Sequence, residues 1–413
     1  MEQHGRIAVI GGGLAGMACA LGLARTGRAV TLFAPADGRT DPRTTAVLRP
    51  AIDMLESWGA WRALEPHCAP LRTMRLIDGS RNLVRSPTVT FEAAEIGQDA
   101  FGWNVPNAQA TKIVRDALDA DGVDIVESRV DRIDLQPHGV TLHADGVRRE
   151  ATLVVGADGQ NSIVRQAANI AARRWSYPQT AIVTTFGHER PHGDISTEFH
   201  TEFGPATQVP LAGSRSSLVW VMQPHEAERR AHVTSEQLSQ EIAERLGYIL
   251  GNVQVDGPVR TFPMRGMLAE AYAGQRAVLV GEAAHAFPPI GAQGFNLTMR
   301  DISDLVELQR DAADPGSAEL TNGYQSFRRG DAQLRTTAVD ALNRSLLSGL
   351  LPIQLARAGG LGALKAVPAL RQFVMREGFS PNWTRGRSAS GIASQVLSTL
   401  RSSAQRRRSR SQG

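Results

Sequence analysis

The stretch "RIAVIGGGLAGMACALGLARTGRAVTLFAP", residues 6–35, constrains the fold more than any other. Ile7–Ile10 form a short apolar run that reads as a buried strand. Leu14, Met17, Ala18, Leu21 and Ala24 follow at helical spacing, Gly27 ends the helix, and Val30–Phe33 make a second strand. The result is a β-α-β unit whose turn carries Gly11, Gly13 and Gly16 in the order G-x-G-x-x-G. Gly11 permits the tight turn, Gly13 lets the backbone approach a pyrophosphate, and Gly16 permits close helix–strand contact. Leu14, Ala15 and Gly16 open the helix, where free amides and the positive dipole end suit a phosphate. This context points to dinucleotide binding; the alternative is a glycine-rich turn with a purely structural purpose. The acid that should close the second strand and take ribose hydroxyls is missing, because Ala34 stands there. Asp37 lies close by and is either its substitute or a surface-loop residue.

Two later segments repeat the theme. Leu153–Val155 read as a buried strand followed by "GADG" (156–159) and a helix. "VLVGEAAHAFPPIGAQGFNLTMRD" (278–301) reads as a strand ending near Val280, a turn, a Pro-Pro kink and a helix starting at "GAQGFN". Between 179 and 263 the texture becomes β-rich, with "QTAIVTTFG", "STEFHTEF", "ATQVPL" and "SSLVWVM" as strands and "SEQLSQEIAERLG" as an amphipathic helix. "RTTAVLRPAIDMLESWGAW" (43–61) shows helical apolar spacing through Ile52, Leu55 and Trp58, and "MRLIDGSRNLV" reads as a hairpin arm. After Asp301 the chain is mostly helical, and its final 30 residues are rich in Ser, Arg and Gly.

Bulk composition narrows the classes. The 413 residues are 42% apolar and 21% charged, values of a globular protein with room for one large domain or two ordinary ones. No run of 18 apolar residues predicts a spanning helix, and the first strand starts too early for a signal peptide. Cys19 and Cys68 have neither metal-like nor redox-like spacing, so no metal is expected and a reducing cytoplasm fits. Seven arginines and no acid lie from Arg385 onward; the net charge of +4 less these seven leaves −3 for the rest. The basic pI therefore describes the tail, and no nucleic-acid partner is expected.

Three ordered motifs, the N-terminal G-x-G-x-x-G, "GADG" and "GEAAHAFPPIGAQGFN", resemble those of the FAD-dependent aromatic monooxygenases over roughly residues 5 to 380. "DPRTTAVLRPAIDMLESWGAW", "NVPNAQATKIVRDAL" and "PPIGAQGFNLTMRD" look most like the ubiquinone-biosynthesis (UbiH-like) hydroxylases. The resemblance implies an α/β fold: a Rossmann-like FAD-binding domain of the aromatic hydroxylase type, an inserted β-sheet (α+β) substrate domain, and C-terminal helices. Its implied division is 1–72, 96–172 and 265–330 for the FAD domain, 73–95 as a hairpin of the substrate lobe, and 173–264 as the substrate sheet. Residues 331–384 are then the helical region and 385–413 a basic tail expected to be disordered.

Site roles carry over by position. Gly11, Gly13, Leu14, Ala15 and Gly16 are expected at the FAD pyrophosphate, with Arg43 reaching the cofactor and Asn107 opening a helix near it. Asp158 and Gly159 match the turn that braces flavin and reductant, and Glu282 the acid that bonds the ribityl chain. Gly291, Ala292, Gln293, Gly294, Phe295 and Asn296 are expected along the isoalloxazine edge, where free amides stabilise the charge of reduced flavin. Pro289, Gly291, Gln293 and Gly294 line the ring, and Pro288 and Pro289 stiffen the approach. No side chain is assigned as an acid or base: His285 reads as a packing or hydrogen-bonding residue, and the chemistry belongs to the cofactor. In the implied reaction NAD(P)H or another donor reduces FAD and O2 adds at flavin C4a. The resulting hydroperoxide passes one oxygen to the aromatic ring of a polyprenylated ubiquinone precursor.

The chain departs from the family pattern at Ala34, Glu282, Pro288, Ala292 and Thr298. None adds a bulky or oppositely charged group at the flavin. Two other readings remain at this stage: a hydroxylase of a soluble aromatic compound, and a non-catalytic flavoprotein subunit of a quinone-biosynthesis complex. The apolar segment around Leu346–Leu364 and the Arg-rich tail suit peripheral attachment to the inner face of the cytoplasmic membrane; a core helix with a solvated tail is the alternative.

Overall fold

A computed structural model describes residues 5–35, 41–80, 85–288, 293–347 and 350–378. Asp37, Pro289, Gly291, Ala292, the side chain of Gln293 and the tail 385–413 lie outside the described residues.

The β-α-β unit forms as its pattern requires. Strands Ile7–Ile10 and Val30–Phe33 flank the helix Leu14–Ala24, and they pair in parallel with Ile7 opposite Val30. They are the middle of a six-stranded sheet ordered Ala273–Gly274, Ala277–Leu279, Leu153–Gly156, Ile7–Ile10, Val30–Phe33, Asp124–Val126. Five of its strands run parallel, and in all but the outer strand Asp124–Val126 their buried Ile, Val and Leu side chains match the continuous apolar runs of the sequence. The three sequence motifs thus arrive on adjacent strands. The turns after Ile10, Gly156 and Leu279 emerge at the same sheet edge, the carboxyl ends of the strands where such folds bind ligands.

The second layer is a mixed nine-stranded sheet. Its path runs His285–Ala286, Arg260–Ala269, Ala172–His188, Arg215–Met222, Gly204–Leu211, Ile195–Thr201, Thr73–Asp78, Val89–Glu92, with Val253–Val255 also paired to Ala172–His188. The segment 73–95 joins this sheet at one end, through a parallel pairing of Thr73–Asp78 with Ile195–Thr201. At the other end, His285–Ala286 of the late motif pairs with Met267 and Leu268. The late motif therefore belongs to both sheets.

One face of this sheet carries Phe186, Phe199, Leu218 and Trp220 and is sealed by the helices Pro224–Ala231 and Ser235–Arg245. Across the other face run Glu198, Thr207, Val219 and Val183, each opposite the next on neighbouring strands. Directly opposed residues of a sheet point the same way. This second face looks toward the nucleotide fold, because Thr44 Oγ1 donates to Ser217 Oγ at 2.9 Å and the Arg43 guanidinium lies 5.3 Å from the Phe262 ring.

Within 43–61 the helical spacing at Ile52, Leu55 and Trp58 belongs to the helix Arg49–Ser57 and its C-cap, and ahead of it Thr44–Leu48 is a strand paired with Gly102–Pro106. β-branched Thr44, Thr45 and Val47 favour the extended chain, and Pro50 fits the first helical turn. The late helix is one element, Gln293–Gln309, followed by the long helix Ala318–Leu347 and the helices Leu351–Ala366 and Pro368–Gly378. The last two dock beside Thr73–Glu92 through Leu361, Leu364 and Met375, and through the Arg371–Glu95 ion pair at 2.6 Å.

Candidate functional site

The first turn has the shape of a cradle. Gly11 sits at φ +134°, where a Cβ would lie 2.3 Å from the Ala157 carbonyl oxygen, and a Cβ on Gly16 would lie 1.9 Å from the Gly11 oxygen. Both positions need glycine to keep helix, strand and "GADG" turn in contact. Gly13 differs: nothing lies within 4 Å of the space its Cβ would occupy. No side chain caps the helix, so the amides of Leu14, Ala15 and Gly16 lack intrahelical acceptors and open onto that space. Ala34 is buried at the end of the second strand and packs against Gly12.

The "GADG" turn supplies the second wall. Asp158 Oδ2 accepts from the Ile163 amide at 2.7 Å and so opens the short helix after the turn. Its other oxygen, Oδ1, is buried without a hydrogen-bond partner. Burial pushes the Asp158 carboxyl up from its usual range, against the pull of hydrogen bonds from Ser162 and nearby amides. An orphaned buried carboxylate oxygen beside an open phosphate-sized cradle fits a ligand rich in hydroxyls and phosphates, as FAD is. Gly159, at φ +78°, completes the turn. Gln160 then donates to Glu282 Oε2 at 3.1 Å, joining this turn to the late motif. Glu282 is exposed on the site side, with Arg43 near enough for their charges to interact.

At the rim, Arg43, Asp41 and Asn107 form one cluster. Arg43 Nη2 lies 2.7 Å from Asp41 Oδ2, and Asn107 Nδ2 donates to the same oxygen at 2.8 Å. Against the desolvation that burial imposes, the hydrogen bonds from Arg43 and Asn107 hold Asp41 below the usual carboxylate range. Asn107 does not cap its helix; Pro106 is the N-cap, and Asn107 Oδ1 accepts from Thr45 Oγ1. The sequence placed Arg43 and Asn107 at the site without indicating that Asp41 joins them.

In the late motif, Gly294 and Phe295 lie in the first turn of the helix Gln293–Gln309. Asn296 is turned elsewhere. Its Oδ1 accepts from the Leu48 amide and its Nδ2 donates to the Ala46 oxygen, both at 2.8 Å. The side chain pins the strand Thr44–Leu48 to the late helix, so only its backbone is left for a ring.

Sequence reading missed the buried network beneath this motif. Asp301 Oδ2 accepts from the Gly281 amide at 2.9 Å and from His285 Nε2 at 2.7 Å. Asp301 Oδ1 accepts from Arg328 Nε at 2.7 Å, and both side chains are fully buried. Arg328 also reaches Asp304 and Asp331, each at 3.1 Å. Burial would raise the Asp301 carboxyl, but the charges of His285 and Arg328 and the bonds from His285 and Gly281 hold it low. His285, held here and stacked between Tyr272 and Phe287, has the hydrogen-bonding role expected of it. The signal available in the sequence was faint: Arg328 is one arginine among several in a polar helix, "YQSFRRGDAQLR".

Comparisons agree with this geometry. Residues 5–336 match the family described as FAD binding domain. The chain is 33% identical over 384 residues to the ubiquinone hydroxylase UbiL of Rhodospirillum rubrum, covering 90% of this chain and 88% of that protein. It is 30% identical over 395 residues to the 3-demethoxyubiquinol 3-hydroxylase of Escherichia coli, covering 91% and 98%. Among solved structures, p-nitrophenol 4-monooxygenase of Pseudomonas putida superposes with a TM-score of 0.76 at 18% identity, over 92% of this chain and all (100%) of that one. PqsL of Pseudomonas aeruginosa superposes with a TM-score of 0.74 at 20% identity, over 87% and 99%. Fold, motif order and relatives agree: this chain belongs to the FAD binding domain family, among the flavin-dependent monooxygenases that include the hydroxylases of ubiquinone biosynthesis.

Proposed function

We propose that this protein uses FAD, NAD(P)H and O2 to hydroxylate the aromatic ring of a polyprenylated ubiquinone precursor. The observation that carries the reading is spatial. Three motif turns converge at one sheet edge, and the half-buried apolar side chains Val183, Val219 and Phe262 face them from the second sheet.

FAD bound there would supply the oxygen-activating and electron-transfer chemistry. The protein binds, orients and excludes water. The amides of Leu14, Ala15 and Gly16 and the open space at Gly13 would hold the pyrophosphate. Asp158 Oδ1 and Glu282 would accept hydrogen bonds from hydroxyls of the cofactor's sugar and ribityl portions. Arg43 presents a planar fork at the rim, already oriented by Asp41. Gly294, Phe295 and the backbone of Asn296, in the first turn of the late helix, would meet the ring, and that N-terminus favours negative charge. The apolar sheet face suits an aromatic ring with a hydrocarbon tail, each buried CH2 contributing about 0.8 kcal/mol.

The C-terminal helices support attachment to a membrane surface. Leu350, Leu351, Leu355 and Val367 are exposed there, with Lys365 in the same helix pair. Among the described residues no helix is long and apolar enough to cross a membrane. A peripheral site would let a tailed substrate leave the bilayer next to the apolar sheet face. Leu351→Asp/Leu355→Asp should reduce sedimentation with anionic vesicles while leaving the flavin spectrum unchanged; undiminished sedimentation removes these helices from the membrane role.

The decisive test incubates purified holoprotein with NAD(P)H, 18O2 and a polyprenylated phenol. One 18O in the ring of the product is expected. No flavin uptake, or uptake without ring oxygenation of any prenylated substrate, overturns the proposal.

A further inference from the structure

Phenolic substrates need a polar partner, and the flavin-facing side of the nine-stranded sheet offers one in its middle. Glu198 and His200 alternate with Phe199 along the strand Ile195–Thr201. Phe199 enters the core under the outer helices, so Glu198 and His200 point to the opposite face. Glu198 stands opposite Leu76 on one side and Thr207 on the other, and Thr207 stands opposite Val219. The pair therefore interrupts a mainly apolar surface that continues through Val219 and Val183 toward the Phe262–Arg43 contact.

The pair is ordered by its own bonds. His200 Nε2 lies 2.7 Å from Glu198 Oε1, and Thr207 Oγ1 donates to Glu198 Oε2 at 3.3 Å. His200 is 8% exposed, yet its Nδ1 has no hydrogen-bond partner among the described residues. Glu198 engages Nε2, so Nδ1 is the ring nitrogen left for a ligand. That nitrogen is open to a donor that a ligand brings to this face. Asp78, the cross-strand neighbour of His200, is taken up by Ser80 and the Ser86 amide.

We propose that His200, oriented by Glu198, receives the ring hydroxyl of the substrate, so that the Glu198–His200 pair selects a phenol over a ring lacking a free hydroxyl. Accepting that hydrogen bond places the ring between the apolar strands and draws electron density onto it, which favours electrophilic oxygenation. The inference rests on the proposed hydroxylase function and adds the group that reads the ring.

The test compares 2-farnesylphenol with its methyl ether on wild-type holoenzyme, His200→Asn and Glu198→Gln. Binding is read from perturbation of the flavin absorbance, turnover from hydroxylated product per NAD(P)H consumed. Wild type should bind the phenol about tenfold more tightly than the ether, the worth of one hydrogen bond. Both variants should bring that ratio to within about threefold, with ether binding unchanged and less product per NAD(P)H. A purely structural pair would weaken both ligands alike and leave the ratio intact, and that result overturns the inference. Wild-type hydroxylation of the phenol with unaltered ratios in both variants refutes this inference alone; absence of any wild-type hydroxylation refutes the proposed function as well.

Discussion

Arg328→Met offers the sharpest test of how the late motif is held. Methionine keeps much of the volume of the arginine stem and removes the guanidinium. Asp301 then stays buried with only the Gly281 amide and His285 as partners, and Asp304 and Asp331 lose their shared cation. Breaking a buried ion pair from one side costs about 3–5 kcal/mol, because the remaining charge is desolvated and uncompensated. The solvated control Arg310→Met, whose Glu307 partner is exposed, should cost no more than ~1 kcal/mol. Urea unfolding of both variants, with the slope checked for constancy, reads the difference. Asp301→Asn in the Arg328→Met background should recover part of the loss, since the orphaned charge is then gone. The pH dependence follows from the lowered Asp301 carboxyl. Its stabilisation is present above the unfolded-state value of about 3.9 and is lost as pH falls through the lower folded-state value. The cost of Arg328→Met should therefore be undiminished between about pH 6 and 8. A cost below ~1 kcal/mol at neutral pH, matching the control, would refute the claim that this network carries the motif.

Three further outcomes are expected. Glu282→Ala should weaken FAD binding by about tenfold or more, the worth of one charge-assisted hydrogen bond, with apo stability unchanged; wild-type affinity by flavin fluorescence titration would refute the ribityl assignment. Asp158→Asn should act in opposite directions. Because burial raises this carboxyl, ionising it destabilises the apo fold as pH rises through and above about 3.9, so the variant's melting temperature should exceed wild type at pH 7 while its FAD affinity falls. An apo melting temperature that drops instead would show that the carboxylate is satisfied without ligand. Finally, Gly13→Val should abolish FAD retention yet leave the apo fold intact, since its Cβ meets open space, whereas Gly16→Ala should impair folding through its clash with the Gly11 oxygen. Circular dichroism and flavin content of the two variants separate the cases.

Much of the nucleotide fold is local and was legible in the chain. Gly11, Gly13 and Gly16 are forced by backbone approach at a strand–helix turn, and the period of the neighbouring apolar residues fixes which element comes before and after. "GADG" and "GEAAH" follow strands for the same reason, and the resemblance of the three ordered motifs to a known family implied the cofactor class. The strand Thr44–Leu48 was not distinguished within 43–61, because its five residues are too short for periodicity to stand out from the helical pattern that follows. The side-chain assignment of Asn296 also needed the structure, since its partners are backbone groups some 250 residues away in sequence, at Ala46 and Leu48.

By itself the sequence determined a dinucleotide-binding class of fold, because that depends on short-range backbone geometry, while FAD followed from the resemblance of its three motifs to those of a known family. Tertiary structure alone decided which polar groups meet across distance: Asp41 with Asn107, Asp301 with Arg328, and Glu198 with Thr207. A charged or polar residue looks the same in a sequence whether water or a buried partner satisfies it. Only burial and pairing, set by how two sheets and the long helix pack together, tell the two apart.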